Sequence, residues 1–183
     1  MIRKDVRIRT VALTLFLVAA IAGIVRFWPA QTTPVSDALR DETNAADDAI
    51  QRHFDYAVEQ LRTGHYERAI NGFRAVLEQA PGMPEAYVNM GFAQNELQQF
   101  EQAARSFQAA IDLRPEQVNA YWGLAVSLEG LCDIPGAIGA MRTYVHLAGP
   151  DDAYLTKANA ALWEWEAMRE KGEFECGEGD SEQ

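Results

Sequence analysis

A period of 34 residues organises this chain and constrains its fold more than any other feature. The unit is plainest from Pro84 to Pro115. Its first helical pattern carries Tyr87, Met90, Gly91 and Gln94, its second carries Ala103, Phe107, Ala110 and Ile111, and Pro115 closes it. One period earlier stand Gly64, His65, Tyr66 and Ala69, then Phe73, Leu77 and Pro81. One period later stand Tyr121, Leu124, Ala125, Leu128, Ala137, Met141 and Leu147, with Gly149-Pro150 answering Pro115. Three units in register without a gap imply stacked helical hairpins. A single hairpin cannot bury its own apolar face, so each must cover the next.

The hairpins are expected at 47–62 with 66–79, at 84–97 with 100–113, and at 118–131 with 134–147. Pro84 and Pro135 suit a first helical turn, and Gly64 suits a helix end. Small residues at Ala57, Gly91 and Ala125 let paired helices approach closely, as do Ala69, Ala103 and Ala137 on the second helices. A seventh helix is expected at 151–171, with Asp151 or Asp152 capping its start and Arg169 and Lys171 suiting its end. Leu155, Ala158, Leu162 and Trp165 form its apolar face, beside Tyr154, Ala161 and Met168. A solenoid needs such a helix to cover its last apolar face.

These units resemble the tetratricopeptide repeat, whose pattern is Trp-x2-Leu-Gly-x2-Tyr, then Ala-x3-Phe, then Pro. Tyr87, Met90, Gly91 and Gln94 occupy the first set, and Ala103, Phe107 and Pro115 the second. The first unit departs with His53, Tyr56, Ala57 and Gln60, and the third places Cys132 where the turn usually has Gly. The fold the resemblance implies is all-α, a solenoid of three repeats plus a capping helix, and it is expected to follow a single N-terminal transmembrane helix.

The anchor is read from the residues themselves. Arg3, Lys4, Arg7 and Arg9 face only Asp5 in the first nine residues. Val11 to Val25 is apolar except for Thr14, and Arg26-Phe27-Trp28 follows. Adding those flanks brings the run near the roughly 20 residues that a span needs. Arg26 can snorkel and Trp28 suits an interface. Basic residues before the run predict an N-terminus in the cytoplasm and the rest outside it, by the positive-inside bias. Ala20-Ile21-Ala22 also fits a signal-peptide cleavage site, but lies inside the apolar run. The domain reading is therefore a basic cytoplasmic segment at 1–9, a membrane anchor at 10–28 and a polar linker at 29–46. The repeat domain with its capping helix follows at 47–171, then an acidic tail at 172–183. This places a single-pass protein in the inner membrane with its repeats in the periplasm.

Beyond Trp28 the chain has 11 basic and 26 acidic residues, a net charge of −15. Such a domain repels nucleic acid and anionic headgroups and favours basic partners.

Little in the sequence points to catalysis. His53, His65 and His146 form no i, i+4 pair for a metal. There is no phosphate-binding glycine loop, nucleophile elbow or paired-cysteine motif. The expectation is a non-enzyme without cofactor or metal. Cys132 and Cys176 are the only cysteines. A 21-residue last helix rises about 31 Å against about 21 Å for 118–131. Five residues from Gly172 reach back about 17 Å, so a Cys132–Cys176 disulfide is expected in an oxidising compartment.

In the tetratricopeptide family the first helices of successive repeats line a concave groove. Here its expected lining is Phe54, Val58, Val88, Asn89, Phe92, Asn95, Asn119, Trp122, Val126 and Glu129. Phe54, Phe92 and Trp122 are the expected anchors, and Asn89, Asn95 and Asn119 the backbone binders. Chaperone-binding members clamp a C-terminal carboxylate with Lys, Asn and Arg. Asn89 matches a clamp Asn, but Phe54 and Trp122 stand where the lysines would be, which argues against that clamp. Trp163 shares a polar helix face with Asn159, Glu166 and Glu170 and is a second contact candidate.

The resulting expectation is a non-catalytic, membrane-anchored scaffold or accessory subunit that binds a membrane or periplasmic protein through its groove. One alternative is an assembly chaperone for extracytoplasmic proteins such as c-type cytochromes or respiratory complexes. Another is a scaffold that self-associates, with Ala19, Ala20, Ala22 and Gly23 allowing its membrane helices to approach closely.

Overall fold

The computed structural model describes residues 34–172. The expected anchor at 10–28 and the tail from 173 onward lie outside them. Seven α-helices and no strands make up the described residues: α1 (Pro34–Arg62), α2 (Tyr66–Gln79), α3 (Pro84–Glu96), α4 (Phe100–Leu113), α5 (Val118–Gly130), α6 (Ile134–Leu147) and α7 (Leu155–Lys171). The chain divides into two compact units between Ala46 and Asp47, and the hairpin stack belongs to the second.

Five of the six expected hairpin helices fall within one residue of their expected ends. The sixth, α1, starts at Pro34 rather than in the forties, inside the stretch expected as linker. Proline at the first position and the run Asp37-Ala38-Leu39-Arg40 favour helix there. The start of α7 differs in the other direction, at Leu155 rather than Asp151. Asp152 does not cap it. Its carboxylate accepts the Tyr144 hydroxyl at 2.7 Å and the Tyr154 amide at 2.8 Å, which holds a turn ahead of the helix. Gly172, at φ 67°, ends α7 in the left-handed conformation.

Each hairpin closes by the same turn. Gly64, Gln98 and Cys132 occupy one repeat position and all take left-handed backbone, with φ of 76°, 57° and 63°. The residue after each donates its amide back to the first helix: His65 to the Gln60 carbonyl at 2.8 Å, Gln99 to Gln94 at 2.9 Å, Asp133 to Leu128 at 2.8 Å. These bonds satisfy carbonyls that a helix end leaves open. In the third turn Asp133 adds a cap the sequence reading missed, accepting the Gly136 amide at 3.0 Å.

The buried residues follow the period. Ala69, Ala103 and Ala137 are fully buried, as are Phe73 and Phe107, with Met141 at the third equivalent place. Burying each of the larger side chains stabilises the stack by about 1.5–3 kcal/mol. Phe107 wedges between α3 and α5. A Cβ on Gly91 would come within 2.8 Å of its ring, and one on Gly123 closer still. Absence of a side chain at both places is what lets these first helices run side by side. Edge-on aromatic pairs tie first to second helices in all three repeats: Phe54 with Phe73, Phe92 with Phe107, and Trp122 with Tyr144, at 5.7, 5.1 and 5.2 Å between centroids.

A groove walled by the capping helix

The first helices α3 and α5 form the floor of a groove, and α7 closes one side of it. Trp165 on α7 is buried and donates its indole N–H to Glu129 on α5 at 2.8 Å. Arg142 on α6 pairs with Glu166 on α7 at 2.7 Å. Lys157 places its ammonium 5.5 Å from the Trp122 ring centroid, and Tyr154 lies against the same ring at 5.8 Å. The capping helix therefore reaches over the third repeat rather than merely ending the stack.

Two cavities result. One of about 300 Å³ is lined by Phe92, Asn119, Trp122, Tyr144 and Tyr154. The other, about 440 Å³, lies among α3, α5 and α7 and takes in Phe92, Trp122, Val126 and Trp165. They share Phe92 and Trp122 and so are neighbours. Tyr144 is buried, and burial, its hydrogen bond to Asp152 and that group's charge together push its phenol up to about 12.

The residues expected to line the groove divide into three groups. Phe92, Asn119, Trp122 and Val126 line the cavities. Asn95 and Glu129 also border the larger one, but both are already engaged. The Asn95 amide donates to the Gly123 carbonyl at 3.2 Å and its oxygen accepts the Ser127 hydroxyl at 2.9 Å, which joins α3 to α5. Val88 is core and not groove. At 4% exposure it packs with Ala103, Phe107, Ala110 and Ala120. In the middle repeat that register is covered by the following hairpin. Phe54 and Val58 pack half-buried against the core of the first repeat, and Asn89 is half-buried. Trp163 is 76% exposed on α7.

The sequence reading missed Tyr154 and Lys157 as groove residues. Only the path of α7 brings them to Trp122, and no periodic signal marks them. Cys132 is disulfide-bonded; its expected partner, Cys176, lies outside the described residues. Among the described residues no helix is long and apolar enough to cross a membrane, and no group of His, Cys, Asp and Glu is placed to hold a metal ion.

Fold and groove define a solenoid of stacked helical hairpins. Residues 60–124 match the family model described as tetratricopeptide repeat. Over 87 residues the chain is 36% identical to Superkiller complex protein 3 of Mus musculus. That stretch is 44% of this chain but only 6% of the mouse protein's length. Among solved structures, a type III secretion complex from Aeromonas hydrophila superposes with a TM-score of 0.66 at 18% identity, covering 75% of this chain and 99% of that one. The Yersinia enterocolitica secretion chaperone SycD, in complex with a peptide of the translocator YopD, gives 0.63 at 15% identity, covering 67% and 95%. At such identities the likeness is one of fold.

Proposed function

We propose that this chain is a non-catalytic, membrane-anchored scaffold or accessory subunit that holds another membrane or periplasmic protein in its groove. The observation that carries this reading is the pair of neighbouring open cavities that share Phe92 and Trp122, the smaller also walled by Tyr154. Connected apolar surface of this kind marks interaction sites on soluble domains. The anchor rests on the sequence alone: the basic start, the apolar run from Val11 to Val25 and the Arg26-Phe27-Trp28 flank. In this reading residues 1–9 are cytoplasmic and the repeats periplasmic.

A second reading is an assembly chaperone for extracytoplasmic proteins. Its support is the fold likeness to SycD, described as a chaperone and crystallised with a peptide of another protein. Lifetime separates the two readings. A subunit stays with its partner in fixed ratio, whereas a chaperone leaves the finished complex.

The test is purification through a C-terminal tag from detergent-solubilised membranes, with mass spectrometry of what accompanies the chain. Phe92 and Trp122 are poor probes because both brace second-helix aromatics. Tyr154→Ala with Asn119→Ala alters the exposed lining and spares those contacts. A partner in fixed ratio that is lost in this variant and retained in Trp163→Ala supports the subunit reading. A partner indifferent to the groove change refutes use of the groove. A scatter of sub-stoichiometric clients replaces the subunit with the chaperone.

A further inference from the structure

The two cavities differ in charge. The smaller, beside Tyr154, is lined by aromatic rings and Asn119 and has no ionised side chain. The larger is bordered by three carboxylates, Glu96, Glu129 and Glu164, and a single cation, Lys157.

None of the three carboxylates is held in an ion pair. Glu129 accepts the indole N–H of Trp165, and Glu96 accepts the hydroxyl of Tyr66 at 3.1 Å. Both donors are neutral, so each bond orients its carboxylate and leaves the charge in place. Among the described residues the ion pairs are Arg62 with Glu59, Arg114 with Glu85 and Arg142 with Glu166, and none includes these three. Lys157 faces the Trp122 ring. An apolar seat thus lies beside a wall where three carboxylates outnumber one ammonium, on a chain whose net charge is already −11.

We propose that the occupant of the groove is a partner segment that pairs an apolar anchor with flanking Lys or Arg residues. This rests on the groove reading above and adds the partner's chemistry. The anchor enters the uncharged cavity beside Tyr154, and the basic flank faces Glu96, Glu129 and Glu164. Complementary charge of this kind sets partner choice and association rate more than raw affinity. An acidic or uncharged apolar segment meets the same seat without that selection.

The test uses the full chain in a mild non-ionic detergent, with detergent-only controls. The probes are a set of fluorescein-labelled 14-residue peptides with Leu and Phe anchors at several spacings. Each is made with four flanking lysines or four flanking glutamates, and binding is read by anisotropy. In roughly 20 mM salt the lysine form should bind about 10-fold tighter or more, and at about 1 M salt the two should converge, because screening then acts within a few ångströms. Glu164→Lys should reduce the low-salt preference at least about 3-fold. Glu101→Lys makes the same charge change at an exposed place on α4 away from the cavities, and should leave the preference nearly intact.

Equal loss in both variants would mean that the whole chain's field, and not this wall, selects the peptide, and the inference would fall. Equal binding of lysine and glutamate peptides, abolished by Tyr154→Ala, would overturn the charge inference and leave the groove standing. If no peptide binds, and the membrane partner ignores Tyr154→Ala, the groove reading falls together with the inference.

Discussion

Gly123 and Gly139 make a matched pair for testing how this stack is packed. Both lie within helices, so alanine brings each the same backbone benefit, about 0.5–1 kcal/mol. At Gly139 on α6 a Cβ would meet nothing within 4 Å, so Gly139→Ala should stabilise the protein by that amount. At Gly123 on α5 a Cβ would lie 2.6 Å from Phe107 Cε2 and closer still to two further ring carbons. The ring has little room to retreat. It is fully buried, lies against the Gly91 position on α3, and sits edge-on to Phe92. Overpacking a filled core costs about 1–3 kcal/mol, and so deep an overlap belongs at the upper end. Less the backbone benefit, Gly123→Ala should destabilise by about 2 kcal/mol. Urea unfolding followed by circular dichroism should then show a midpoint lower by about 1 M with an unchanged slope. Adding Phe107→Leu should make the double variant lose less than the sum of the two singles, by about 1 kcal/mol. If Gly123→Ala instead raised the midpoint as Gly139→Ala does, the wedge of Phe107 between α3 and α5 would be refuted.

Gln98 takes left-handed backbone without glycine's freedom, so Gln98→Gly should stabilise by about 1 kcal/mol, read by the same urea midpoint; a loss would mean that the Gln98 side chain does more than its backbone position indicates. The Tyr144 phenol is held neutral in the fold, chiefly by burial and then by its bond to Asp152, with its pKa raised to about 12. Its stabilising contribution is therefore complete below the ordinary tyrosine value near 10 and is lost as pH climbs through about 12. Tyr144→Phe should lose less stability than the parent between those limits, measured by thermal unfolding at stepped pH. Thiol titration of the denatured chain should find no reactive thiol without reductant and two with it, as the bonded Cys132 and the expected Cys176 partner require. A reactive thiol before reduction would argue against that pairing.

Much of the hairpin stack was legible because its causes are local and repeated. Helix spacing, turn length and the small residues at Ala69, Ala103 and Ala137 recur at every period, so each unit corroborates the others. The left-handed turns were only half legible. Gly64 announces the conformation, whereas Gln98 and Cys132 adopt it because the hairpin geometry around them demands it. The groove was the least legible part. Asn95 reads from sequence as a ligand-binding amide, yet it bonds across 28 and 32 residues to Gly123 and Ser127. Val88 reads as lining, yet the next hairpin covers it.

What the sequence determined by itself was the class of architecture. A 34-residue period of paired amphipathic helices leaves stacking as its one economical way to bury apolar surface. Tertiary structure alone decided what the groove presents. The capping helix breaks the period, so nothing repeated reports where it lies. Its position follows from the Trp165–Glu129 bond, the Arg142–Glu166 pair and the Tyr154 ring against Trp122. Those contacts join residues some 24 to 36 positions apart, and a one-dimensional pattern carries no record of contacts made once. They turn an end cap into the wall of a binding site.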